Sequence, residues 1–182
     1  YKTKETADLF LVLLMYKLNQ TGRAAIVLPD GFLFGEGVKT AIKEKLLSEF
    51  NLHTIVLLPN GVFAPYTGIN TNLLFLERGT TQEIWFYEHQ LPEGYKNYTK
   101  TKPIKLEEFE AEKAWWNARK ETGCAWKVSI DEVKARGYNL DFKNPSTQLE
   151  QSIPSPEEVI RKTSDCLTRS RQILLEIEEL LK

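Results

Sequence analysis

Histidine and cysteine are scarce in this chain, two of each. Cys124 and Cys166 lie far apart, with no Cys-x-x-Cys pair and no histidine pair nearby. That spacing argues against a disulfide framework or a metal site, and a reducing, cytoplasmic setting is the simpler expectation. Charge of one sign is missing as well, since 24 Lys and Arg face 25 Asp and Glu for a formal net charge of −1. The basic excess of an autonomous nucleic-acid binder is therefore absent, although contact through one local face or a partner stays open. Long hydrophobic runs are also wanting. The most apolar stretch, residues 9–18, begins among Lys2, Lys4, Glu5 and Asp8 and has no signal-peptide cleavage site. It is too short to span a bilayer and reads as a buried helix. The chain opens on Tyr1 rather than Met, which reads as a fragment or a processed piece.

What is present suits one ordinary domain with an appendage: 182 residues, 42% hydrophobic and 27% charged. The organising stretch is 22–77. Two apolar runs, 24–28 and 55–58, each end in Leu-Pro-polar-Gly, as Leu28-Pro29-Asp30-Gly31 and Leu58-Pro59-Asn60-Gly61. Between them Val38, Ala41, Ile42, Leu46 and Phe50 recur at helical spacing, with lysines and glutamates opposite. The pattern is strand, loop, helix, strand, loop, a right-handed crossover unit. Both loops open at the carboxyl ends of strands, where open α/β sheets hold their ligands. The uninterrupted run 23–28 predicts a central parallel strand. Residues 71–76 come too soon after the loop 59–70 for a helical crossover, so an antiparallel strand is expected there. Residues 83–88 read as one more.

Upstream, Leu9, Val12, Leu13 and Tyr16 set a helix over 5–20, with Thr6 as N-cap and Gly22 at the C-cap. Downstream, 91–105 is irregular, and Lys96, Lys100, Lys102 and Lys105 interleave with Tyr95 and Tyr98 as the best local basic patch. A short helix over 106–119 carries Phe109, Trp115 and Trp116, and a short strand over 125–128 comes next. Ser129-Ile130-Asp131-Glu132 is a capping box for a brief helix that Gly137 ends, and 138–146 is a loop. Trp115, Trp116 and Trp126 read as one packing cluster, and His53 and His89 as structural. Ile153-Pro154-Ser155-Pro156 is a linker, with Ser155 as N-cap of a helix running to Lys182. On it Val159, Thr163, Cys166, Ser170, Ile173, Ile177 and Leu180 alternate by four and three, the seam of a coiled-coil-like contact.

The runs GRAAIVLPDGFLFGEG and LPNGVFAPYTGINTNLLFLERG resemble the modification subunit of type I restriction–modification systems, an N6-adenine DNA methyltransferase family. Phe63, Thr67, Gly68 and Thr71 fall at that family's positions. IWFYEHQ, CAWKVSIDEVKARGYNLDFKNP and the C-terminal helix are similar to the region after the methyltransferase domain in such subunits. The resemblance implies an α/β fold, the carboxyl-terminal half of a doubly wound, Rossmann-like methyltransferase sheet. Residues 1–90 would be that half, 91–152 an irregular Trp-containing extension, and 153–182 an interaction helix. The family's cofactor is S-adenosylmethionine, held by a Gly-rich loop, and its target amine is handled by an Asn/Asp-Pro-Pro-aromatic motif. Neither occurs here, nor does any Pro-Pro pair. No catalytic residue and no metal ligand is expected in this chain, and the chain alone is expected to be inactive.

As the resemblance has it, the intact enzyme flips an adenine from the duplex. Its amine then attacks the sulfonium methyl in line. This chain would supply a wall of the base pocket: Asn60, Phe63, Tyr66, Thr67 and Asn70, with the aromatics stacking and the others hydrogen bonding. Phe63 is either such a stacking ring or a plug of the core. Pro29, Asp30 and Gly31 form a loop near cofactor or DNA, or simply a turn. The implied partners are DNA, a specificity subunit docked through Val159, Cys166, Ile173, Ile177 and Leu180, and a restriction subunit. Run 23–28 would leave an unguarded apolar edge, able to pair with a missing half-sheet or a second copy. Two other readings stay open: an assembly module without a catalytic pocket, and an α/β enzyme for an unrelated substrate.

Overall fold

The Leu-Pro ends of the two apolar runs close strands β1 (Arg23–Pro29) and β2 (Phe50–Leu57). Proline has no N–H to carry a ladder onward, so each strand stops at it or just before it. The computed structural model describes residues 2–150 and 156–180, with side chains at 2–147, 159–173, 176 and 177. β3 (Thr71–Arg78) lies between β1 and β2 and is antiparallel to both. β4 (Glu83–Glu88) runs parallel to β2, and β5 (Ala125–Ser129) pairs antiparallel outside it, giving the order β1-β3-β2-β4-β5. β1 and β2 are thus parallel without touching, joined by the crossover helix α3 (Val38–Glu49).

The run 23–28, expected as a central parallel strand, pairs antiparallel with β3 on one side, and among the described residues no strand lies on its other side. Its apolar continuity has two causes. Ala24, Ile26 and Leu28 pack into the main core, while Val27, on the other face, is 44% exposed.

The main core lies under α1 (Thr6–Lys17) and α3, where Leu11, Met15, Ile42, Leu46, Phe50, Leu52, Ile55, Leu74 and Leu76 are buried. Asp8 of α1 accepts two 2.8 Å bonds from Lys39 of α3, and Glu5 also meets Lys39, tying the helices together. Helix α1 starts close to where it is expected, with Glu5 rather than Thr6 as N-cap, but ends early, at Lys17 with Leu18 as C-cap rather than near Gly22. The Arg78 guanidinium donates to the Leu18 carbonyl at 3.2 and 2.8 Å, satisfying the helix end four residues early.

The expected loop after β1 begins as a helical turn, α2 (Asp30–Phe34), because Phe32 and Leu33 turn inward and are buried. Lys43 of α3 is buried too, and its ammonium donates to Leu33 and Gly35 carbonyls at 2.7 and 2.9 Å. On the opposite sheet face, a 3-10 turn (Leu106–Phe109) and α4 (Glu110–Asn117) place Trp115 over Val56, Leu58, Tyr87 and Ala125. The three tryptophans do not form one cluster. Trp126 comes after Ala125 on β5, so the strand's alternation sends it to the other face, stacked on Phe86.

The capping box at Ser129 opens α5 (Ile130–Ala135), and Gly137 at φ 63° lies just past its end. The expected loop 138–146 gives way at its end to α6 (Pro145–Glu150), so Pro145 initiates a helical turn. Residues 1–148 are one compact unit and 149–182 a second, built on α7 (Pro156–Leu180). The expected linker and its Ser155 cap lie outside the described residues, as does the side chain of Leu180. Among the described residues no helix is long and apolar enough to cross a membrane.

Candidate functional site

Because β1 and β2 run parallel, their carboxyl ends emerge on one edge, and the two Leu-Pro segments meet there. The Asp30 N–H donates to the Asn70 carbonyl at 3.0 Å, and the Leu58 N–H to that of Thr71 at 3.2 Å. The Asn72 amide, itself buried, donates to Asp30 Oδ1 at 2.7 Å. The start of β3 therefore staples the segment after β1 to the segment after β2. Asn72 is absent from the residues the sequence points to. Its signal is a polar residue opening an otherwise apolar strand.

The loop between Leu58 and Thr71 is held by short-range bonds. Ala64 N–H donates to Gly61 O, Tyr66 N–H to Phe63 O, and Ile69 N–H to Thr67 Oγ1, at 2.9, 2.9 and 3.1 Å. The Ala64–Pro65 peptide is cis. Val62, not Phe63, packs against the smaller core cluster. Phe63 is left 41% exposed, Tyr66 92% and Ile69 62%. Asn60 and Asn70 are exposed and Thr67 is half-buried. The loop presents two free aromatic faces with amide and hydroxyl groups on the same short segment. Such a surface can stack on a planar base and hydrogen bond its edge.

Pro29, Asp30 and Gly31 lie beside this loop rather than in it. Asp30 is the first residue of α2, and its carboxylate is occupied by Asn72. Of the glycines at the two strand ends, Gly31 has open space beside it and Gly61 does not. Gly31 is within the helical turn, and a side chain at Gly61 would collide with the Tyr98 carbonyl oxygen. Of the basic patch, Lys96, Lys100, Lys102 and Lys105 are exposed, but Tyr98 is fully buried and offers no stacking face. His53 sits against Trp116 and Arg119; burial and the nearby guanidinium hold its imidazole below the ordinary value. Among the described residues no group of three or more His, Cys, Asp or Glu side chains is placed to hold a metal ion.

In the second unit, α7 shows a row of exposed apolar side chains. Val159 is 47%, Ile173 48% and Ile177 46% exposed, and Cys166 is exposed with them. Ile160 and Leu167 flank that row and are 68% and 66% exposed. Nothing within this unit covers it among the described side chains.

The family model of the N-6 DNA methylases matches residues 1–152. The methylase subunit of the type I restriction enzyme EcoEI from Escherichia coli is 58% identical over 167 residues, 87% of this chain. This chain covers only 34% of that relative, about a third of its length. A crystal structure of a modification subunit of a putative type I restriction enzyme from Vibrio vulnificus superposes with a TM-score of 0.77 at 49% identity, over 82% of this chain and 34% of that one. A structure reporting complex assembly and conformational transition of the type I restriction–modification system gives 0.77 at 40% identity, covering 99% of this chain and 39% of that one.

Proposed function

The chain belongs to the N-6 DNA methylase family, and from that premise we propose that it works as part of a DNA methyltransferase subunit in a type I restriction–modification system. The reaction is transfer of a methyl group from S-adenosylmethionine to N6 of adenine in DNA. The reading rests above all on the loop between Leu58 and Thr71, which holds Phe63 and Tyr66 out from the sheet at the edge where β1 and β2 end. An enzyme acting on a base amine must take the base out of the stack and give its ring a new surface. Phe63 and Tyr66 supply that surface, and Asn60, Thr67 and Asn70 supply donors and acceptors for the base edge or the adjoining backbone. Pro29, Asp30 and Gly31 form the neighbouring wall, with Asp30 turned to Asn72 and so a support of the wall rather than a proton acceptor.

The residues present here do not fit S-adenosylmethionine on their own, because they include no Gly-rich loop and the space beside Gly61 is filled by the Tyr98 carbonyl oxygen. No chemical step is therefore assigned to this chain's side chains, and by itself the chain is proposed to transfer no methyl group. Its setting is proposed to be the cytoplasm, in a complex with a restriction subunit. The test uses the complete subunit assembled with its specificity subunit. Phe63→Ala and Tyr66→Ala are expected to lower methylation of target DNA roughly tenfold or more each, as the loss of base stacking would. Unchanged methylation in both variants overturns the reading.

A second role is favoured by the exposed row on α7. Val159, Cys166, Ile173 and Ile177, continued by Leu180, are proposed to dock the DNA-specificity subunit through coiled-coil-like packing. The outer edge of β1 is a second proposed contact. It would pair with a further strand of the methyltransferase sheet, or with a second copy when that strand is missing.

A further inference from the structure

The base of the Asn60–Asn70 loop is held from outside the loop. The Tyr98 N–H donates to the Asn60 carbonyl at 3.0 Å. The Tyr98 carbonyl oxygen occupies the space a side chain at Gly61 would need, and Gly61 has φ 84°, a conformation that favours glycine. Both backbone groups of one residue thus grip the first two residues of the loop.

The side chain of that same residue belongs to a buried polar chain. Tyr98 is 0% exposed, His89 3% and Glu112 7%. The Tyr98 hydroxyl donates to Glu108, so its oxygen is left to accept from His89 Nε2 at 3.1 Å. His89 Nδ1 pairs with Glu112, one helical turn after Glu108. His89 is fixed in turn by its own N–H, which donates to the Leu57 carbonyl at 3.0 Å. The sequence Glu108–Tyr98–His89–Glu112 therefore links the segment after β4, the 3-10 turn and α4 to the start of the loop.

Packing alone does not ask for such a chain, because a phenylalanine would fill the same space. Burying carboxylates and an imidazole together is a poor source of stability, and its best-attested return is a single defined geometry. We propose that Tyr98 is a positioning residue for the Asn60–Asn70 loop, oriented by His89, Glu108 and Glu112. This rests on the reading that the loop meets the target base. Tyr98 is fully buried and acts through the loop. It narrows the range of loop arrangements, so that Phe63 and Tyr66 are already placed when the base leaves the stack, and less ordering is needed on binding.

The experiment uses the complete subunit with its specificity subunit, on native target DNA for the methylation kinetics and, for base flipping alone, on the same DNA with fluorescent 2-aminopurine, which has no N6 amine to methylate, at the target adenine. Tyr98→Phe is expected to raise KM for DNA and reduce the flipping signal roughly five- to tenfold, the effect of losing one net hydrogen bond. KM for S-adenosylmethionine should stay the same. Glu108→Gln, which keeps an acceptor for the hydroxyl, should retain most of the signal. A purely structural role would lower the folded fraction, so kcat would fall with both KM values unchanged; that result overturns the proposal. Phe63→Ala separates the positioning role from the target-base reading. If Phe63→Ala abolishes the signal and Tyr98→Phe leaves it intact, only the positioning role fails. If neither changes it, the target-base reading fails first.

Discussion

Lys43 shows how far a residue's position on a helix can mislead. Helical spacing puts it with the lysines and glutamates of α3, facing water, yet it is 1% exposed and spans two carbonyls after α2. Burial, with Lys39 nearby, lowers its ammonium from 10.5 to about 8. Between those two values the unfolded chain holds the proton and the folded chain does not, so stability rises with pH there. Neutral lysine still has two N–H groups for the two carbonyls. Thermal unfolding at pH 7 and pH 9.5, compared between the native chain and Lys43→Met, should reveal that rise in the native chain and its loss in the variant. Asp30 carries a similar lesson. Its side chain is conspicuous in the Leu-Pro-Asp-Gly run, but its partner Asn72 lies 42 residues on, beyond any local pattern. Replacing Asn72 with Leu should destabilise the unit by about 1–3 kcal/mol in denaturant titrations, because the half-buried Asp30 carboxylate loses its donor.

At the scale of elements, the crossover is readable because two apolar runs of the same design flank one amphipathic helix. The antiparallel third strand is implied by a connection too short for a helix. The capping box of α5 is readable because its bonds join residues three apart. The features that escape a reading of the sequence depend on contacts between distant residues. The early end of α1 is set by Arg78, sixty residues away. The helical turn α2 forms because Phe32 and Leu33 have a core to enter. The buried polar chain joins a lone histidine to two glutamates at helical spacing, a clue visible only once α4 is laid over β4. Deleting core volume in the crossover, as in Leu46→Ala, should cost about 2–5 kcal/mol while leaving the loop's bonds in place. On α7, an Ile173→Glu and Ile177→Glu double variant should lose co-purification with the specificity subunit. The unfolding transition of residues 1–148 should not move, since that unit is compact without α7.

For the whole molecule, the sheet has one weakly defended side. Among the described residues β1 ends the order β1-β3-β2-β4-β5, and the stretch Ala24 to Leu28 contains neither a proline nor a charge to guard it. Sedimentation of the isolated chain is expected to show self-association that Val27→Lys suppresses, because a charge on the edge opposes pairing. The same strand order bears on synthesis. β3 follows β1 and β2 in the chain yet lies between them in space, so both leave the ribosome before it. β1 and β2 cannot pair with each other in their final places, so the edges they turn toward each other wait for β3 to enter between them. At ordinary translation speeds the stretch from Leu57 to Arg78 takes roughly one to four seconds to emerge. Rare codons placed in that stretch should lower soluble yield without altering the activity of the molecules that fold.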